Sequence, residues 1–266
     1  MRERLIGGFL VGLVTLIIFL SGGAITAVIL TIVSLIAMHE FMKLYSLEQT
    51  PLAALNYLAT VGVYIILYLG KSQILFPFIV MLLLIALSIY VICFPKYKDY
   101  QVEKSFFTFL YVTLLLSYVF RIREMKFGAL YFVFILISSW GNDICAYFVG
   151  SAIGKHKFSP KVSPNKSVEG FIGGVAGAGI LGFLYAVVFQ RVIETSLTPL
   201  SCAIIAAIGA IPAVIGDLAA SAIKRDNEIK DYGSLIPGHG GMVDRVDSLL
   251  FTAPIIYYLI ILFSGL

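Results

Sequence analysis

Apolar runs follow one another along this chain with only short polar breaks. The first two occupy residues 5–38, on either side of a Ser21-Gly22-Gly23 turn. Others lie at Leu52–Leu69, Ile74–Phe94, Phe106–Phe120, Phe127–Trp140, Phe171–Phe189, Ala203–Ile215 and Leu249–Phe263. Together they predict nine helices. Several runs fall short of the ~20 residues that a bilayer span needs, so their helices are expected to continue into polar residues that face protein rather than lipid. The run ending at Trp140 is expected to pass through Asn142 and Asp143 towards Val149. The run ending at Ile215 is expected to pass through Asp217 towards Ile223.

Composition supports the same class. Of 266 residues, 60% are hydrophobic and 13% charged, with a mean hydropathy of +0.98. That charged fraction is about half of what an ordinary soluble domain carries. The expectation is an all-α, polytopic integral membrane protein with about nine transmembrane helices. It is read as one transmembrane domain over 1–266, with an N-terminal helical half, 1–126, and a polar, site-bearing half, 127–266. Residues 5–38 read as two short spans and not as a removable signal, because the second run follows the first at once.

Charge orients the bundle. With the N-terminus in the cytoplasm, Lys71, Arg121, Arg123, Lys126 and Arg191 fall outside, and the other fourteen of the 19 Lys and Arg fall inside. The 121–126 cluster fits this pattern least well. The formal charge of +4 is therefore assigned to basic loops facing anionic headgroups, not to a nucleic-acid partner. Cys93, Cys145 and Cys202 are scattered and form neither a CxxC pair nor a disulfide framework.

Two polar connections, about 150–168 and 224–247, concentrate the reactive groups. In and before the second stand Asp217, Ser221, Lys224, Arg225, Lys230, Asp231, His239, Gly240, Gly241, Asp244, Arg245 and Asp247. On a helix Asp217, Ser221 and Lys224 share one face, and Asp244 and Asp247 do so if the last helix begins near Asp244. Carboxylates from two helices suit a hard divalent cation such as Mg²⁺. The basic residues suit an anionic, polyphosphate substrate, and the glycines allow close backbone approach. GxxxxGK[ST] is absent, so this is not a P-loop.

In the first connection Asp143 is a candidate third carboxylate. Lys155 and Lys166 are candidates for phosphate oxygens, as are Ser163 and Ser167, although Ser167 is equally placed to cap the next helix. Glycines from Gly170 to Gly179 suit close helix packing. His39, with Glu40, reads as interfacial, and His156 stands apart from other reactive groups. His239 serves as general base, phosphate contact or loop anchor.

The stretch from Ser221 to Asp247 resembles the C-terminal signature of the phosphatidate cytidylyltransferases (CDP-diglyceride synthases). That signature has the form S-x-[apolar]-K-R-x4-K-D-x-[GSA]-x2-[apolar]-[PG]-x-H-G-G-[apolar]-x-D-R-[apolar]-D. It runs unbroken through Ser221, Lys224-Arg225, Lys230-Asp231, Gly233, Pro237, His239-Gly240-Gly241, Asp244-Arg245 and Asp247. The stretch from Asp143 through Gly154-Lys155 to Ser163-Pro164-Asn165-Lys166 resembles the family's second motif.

The resemblance implies CTP and phosphatidic acid as substrates, and CDP-diacylglycerol and pyrophosphate as products. It also implies Mg²⁺ on Asp217 and Asp244 with Asp143 in the same polar cavity, a potassium ion nearby, and a homodimer. The catalytic set is then Asp217, Asp244, Lys224, Arg225, His239 and Arg245. The binding set is Asp143, Lys166, Ser221, Lys230, Asp231, Gly240, Gly241 and Asp247. Lack of a long N-terminal extension points to a bacterial cytoplasmic (inner) membrane, with the site facing the cytoplasm. The rivals are another CTP-dependent lipid kinase or cytidylyltransferase, an anion transporter and an inactive metal-binding scaffold.

Overall fold

A computed structural model describes residues 2–189, 197–235 and 240–265. His239, Pro237, Gly238 and Arg191 lie outside the described residues. Among the described residues, nine long helices account for the apolar runs: α1 (Arg2–Leu20), α2 (Gly23–Leu44), α3 (Pro51–Tyr68), α4 (Ser72–Ile92, opening with a 3₁₀ turn), α5 (Asp99–Arg123), α6 (Gly128–Ile153), α7 (Val168–Phe189), α8 (Pro199–Asp226) and α9 (Val243–Ser264). The last eight are each long and apolar enough to cross a membrane, and α1 has a shorter apolar stretch, Ile6–Leu20. Its 19 residues reach about 28 Å, close to the thickness of a hydrocarbon core. Exposed side chains such as Phe76 and Ile92 on α4 belong against lipid.

Local sequence sets the ends of these helices. Before α3 and α8 the same Thr-Pro pair recurs. The Thr50 hydroxyl accepts from the Ala53 N–H at 3.3 Å, and Thr198 accepts from Ser201 at 3.1 Å, with proline in the first turn where its missing N–H costs nothing. Two helices contain π-turns, at Phe109–Leu114 in α5 and Ile137–Gly141 in α6. Each is continuous with the α-helical segments on either side of it. As expected, α6 runs through Asn142-Asp143, and α8 runs through Asp217 to end three residues beyond Ile223.

The chain forms two compact units. Unit 1 comprises residues 1–121 with 231–245, and unit 2 comprises 122–230 with 246–266. In unit 1, buried polar pairs fasten α2, α3 and α5. Ser34 bonds Tyr64 at 2.8 Å, the Asn56 amide donates to Ser105 Oγ at 2.6 Å, and Thr60 bonds Thr113 at 2.8 Å. Such bonds between helices are a main source of cohesion where lipid removes the hydrophobic drive.

In unit 2, α7 packs between α6 and α8 along a stripe of glycines. A Cβ on Gly173 would lie 2.5 Å from Val149, and one on Gly177 would lie 2.5 Å from Cys145 Sγ. One on Gly182 would lie 2.8 Å from the Cys202 carbonyl. The polar connection between α6 and α7 contains a feature the sequence reading did not anticipate, a short antiparallel hairpin of β1 (Lys157–Ser159) and β2 (Ser163–Ser167).

Candidate active site

Unit 2 contains a cavity of about 480 Å³ where α6, the hairpin, α7 and α8 meet, within the size range of small-molecule sites. Asp143 from α6 and Lys166 from β2 form its charged wall. Tyr147, Phe158, Phe171 and Val214 form its apolar wall, in which the Phe158 and Phe171 rings stack at 5.2 Å. Gly150 and Gly170 let α6 and α7 approach closely beneath it, since a Cβ on Gly170 would lie 3.3 Å from Gly150 Cα.

The charges converge through the helix periodicity read from the sequence. Lys166 forms an ion pair with Asp217 Oδ2. The Ser221 hydroxyl, one turn further along α8, donates to Asp217 Oδ1 at 3.4 Å. Asp143 lies near enough to feel both Lys166 and Asp217 electrostatically. Lys224 and Arg225 complete the last turn of α8, where cations also favour the helix dipole. Asp247 is in the second turn of α9, and α8 crosses it at Gly216, where a Cβ would lie 2.6 Å from the Asp247 carbonyl. Lys230 is exposed in the loop after α8.

Two further side chains, Ser167 and His156, are placed by their contacts. Ser167 is buried, and its hydroxyl accepts from the Gly170 N–H at 3.1 Å. It therefore caps α7, the structural one of its two expected roles. His156 does not stand apart: its ring bonds Glu169 at 2.6 Å, and the same carboxylate accepts from the Lys155 and His156 N–H groups. Glu169 thus ties the start of the hairpin to the first turn of α7.

In unit 1, the loop before α9 is built around two carboxylates. Asp244 Oδ2 accepts from the N–H groups of Tyr232 and Gly241, each at 3.0 Å. Gly240 has φ +82°, and a Cβ there would lie 2.8 Å from that oxygen and 3.3 Å from Asp231, so both conformation and space call for glycine. Arg245 follows in the first turn of α9.

The second carboxylate, Glu40 of α2, was missed as a site residue. It is only 7% exposed and accepts from Met242 N–H at 2.8 Å and Val243 N–H at 2.9 Å. Its neighbour His39 is exposed and bonds the Tyr57 hydroxyl at 3.0 Å. A single acidic residue in an otherwise apolar span was the available signal.

The oxygen donors around the cavity suit Mg²⁺. Among the described residues, no three His, Cys, Asp or Glu side chains gather into a ready-made cage. Mg²⁺ does not need one, because it usually takes one or two carboxylates and fills its octahedron with water and substrate phosphate. Asp143 and Asp217, both oxygen donors by an open cavity, fit that habit.

Fold and site together define a polytopic α-helical membrane protein whose C-terminal half forms a cavity lined by Asp143 and by Lys166, the lysine paired with Asp217. The chain belongs to the cytidylyltransferase family, whose model matches residues 2–263. It is 30% identical over 274 residues to a phosphatidate cytidylyltransferase of Bacillus subtilis (strain 168), with 99% of each chain covered. A Staphylococcus aureus (strain COL) protein of the same name is 30% identical over 266 residues, covering 98% of this chain and 99% of its own. The Thermotoga maritima protein of that name is 41% identical over 157 residues, 59% of this chain and 58% of its own.

Proposed function

We propose that this protein transfers CMP from CTP to phosphatidic acid, giving CDP-diacylglycerol and pyrophosphate. The observation that carries the reading is the charged cavity wall, where Lys166 pairs with Asp217 beside Asp143, in a chain whose full-length relatives bear that enzyme's name. An ionised phosphatidate oxygen attacks the α-phosphorus of CTP. A new P–O bond forms as the bond to the bridging oxygen breaks, and the electron pair leaves with pyrophosphate. The nucleophile has no proton to lose, so His239 need not act as a general base.

Lys166, Lys224, Arg225, Lys230 and Arg245 set a positive potential around the anionic oxygens of both substrates, an electrostatic contribution fixed before the reaction begins. Ser221 steadies Asp217, and Gly240 and Gly241 shape the turn that holds Asp244. Asp231 and Asp247 belong to the binding set. Asp217 and Asp244, with Asp143, would hold Mg²⁺, which when bound neutralises the triphosphate and the charge passing to the leaving group. A potassium ion beside it is part of the same reading. So are a homodimer and a place in a bacterial inner membrane, with the cavity open to the cytoplasm. The apolar wall suits the lipid portion of one substrate, which explains why a nucleotide-using enzyme is built from membrane spans.

Replacing Asp217 with Asn tests the assignment. CDP-diacylglycerol formation by the purified variant is expected to fall by about 10²-fold or more, with thermal stability close to that of the parent. Undiminished CTP- and Mg²⁺-dependent turnover would remove Asp217 from the metal site.

A further inference from the structure

Glu40 lies in the second helix, far in sequence from the charged C-terminal segment, and nothing in the proposed reaction uses it. Its carboxylate is nevertheless buried, with both oxygens engaged by backbone. Oε1 accepts from Met242 N–H at 2.8 Å and Oε2 from Val243 N–H at 2.9 Å. These groups belong to the end of α9 that starts at Val243, where N–H groups lack intrahelical partners and the helix dipole favours a negative charge.

The loop has been cut away to admit this carboxylate. A Cβ on Gly241 would stand 2.5 Å from Glu40 Oε1, and one on Gly233 would stand 2.7 Å from the same atom. Phe41, the next residue on α2, packs on Tyr232 with ring centroids 4.8 Å apart. Gly241, Met242 and Val243 therefore form one fixed turn. The N–H of Gly241, at its head, and that of Tyr232 both donate to Asp244 Oδ2.

From this geometry we infer that Glu40 is a positioning residue, which orients Asp244 for the reaction by clamping the 241–243 turn from which Asp244 is held. The inference rests on the reading of Asp244 as a metal-binding aspartate. Groups that orient a metal's ligands in this way affect metal affinity or activity by about 10- to 100-fold when lost. A Gln at position 40 keeps the shape of the side chain but turns one acceptor into a donor facing an N–H.

The test uses the full-length protein in detergent and compares Glu40→Gln, Glu40→Asp, Gly241→Ala, Asp244→Asn and the Glu40→Gln/Asp244→Asn double variant. Three quantities are read: Mn²⁺ affinity by electron paramagnetic resonance without nucleotide, the Mg²⁺ concentration for half-maximal turnover, and thermal unfolding. Glu40→Gln and Gly241→Ala are each expected to weaken Mn²⁺ binding and raise the Mg²⁺ requirement about tenfold or more. Glu40→Asp, which keeps the charge, should retain more of both than Glu40→Gln, and the double variant should be no worse than Asp244→Asn alone.

Metal responses within twofold of the parent in both Glu40→Gln and Gly241→Ala would overturn the inference, leaving Glu40 as a packing group. So would losses that multiply in the double variant. Failure of the underlying reading has a separate signature, parental metal binding in Asp244→Asn alone. If Glu40→Gln does not fold, Glu40→Asp and Gly241→Ala carry the comparison.

Discussion

Lys166, near the end of a short strand, lines a cavity together with Asp143 and pairs with Asp217 of a long helix. A lysine so placed offsets two carboxylates and presents a cation to any phosphate entering the cavity. Replacing it with Met, similar in length but uncharged, is expected to lower kcat/KM for CTP by about 10²-fold or more, measured in detergent with saturating phosphatidic acid. Loss of stability alone, with unchanged kinetics, would make the pair structural.

Residue-scale reading succeeded where helix periodicity links neighbours, as in Asp217 and Ser221, and was weaker where contacts cross long stretches of chain. Glu40 shows why. A lone carboxylate near the end of a span has no spacing to match, and its partners are backbone N–H groups about 200 positions away. Ser167 was balanced between phosphate contact and helix cap, and only the Gly170 N–H bond distinguishes them.

Helix–helix contact in unit 2 depends on absent side chains. The α7 glycines meet Val149, Cys145 and Cys202 at distances that leave no room for a methyl group. Gly173→Ala is therefore expected to destabilise the protein by about 1–3 kcal/mol through overpacking. Val149→Ala should recover part of that loss in the double variant, as followed by thermal unfolding, because it removes the two Cγ atoms that a new Cβ would strike and leaves only Val149 Cβ in the way.

Most elements were legible from hydropathy. The nine apolar runs match nine helices among the described residues, and the runs ending at Trp140 and Ile215 extend through Asp143 and Asp217. The hairpin was not legible, because strands of three and five residues, polar and without alternation, give no period-two signal. The π-turns at Phe109–Leu114 and Ile137–Gly141 add a residue to a helical turn without changing composition, so they leave no mark in the apolar pattern.

On the scale of the molecule, apolar spans hold a cavity with a charged wall, which the proposed function assigns to one water-soluble and one lipid substrate. The distribution of basic residues predicts a cytoplasmic side for the hairpin, as the proposed function requires. In a cysteine-free background, a cysteine replacing Lys161 is expected to react with a membrane-impermeant maleimide only after the inner membrane is opened. Labelling of intact spheroplasts would reverse the orientation.

The central claim, transfer of CMP to a lipid phosphate, is tested most directly by isotope fate. Purified protein with Mg²⁺ and phosphatidic acid is given CTP labelled at the α-phosphorus and, separately, at the γ-phosphorus. α-Label is expected in CDP-diacylglycerol and γ-label in pyrophosphate, with equal amounts of the two products. γ-Label in the lipid would mean phosphoryl transfer, and would contradict CMP transfer.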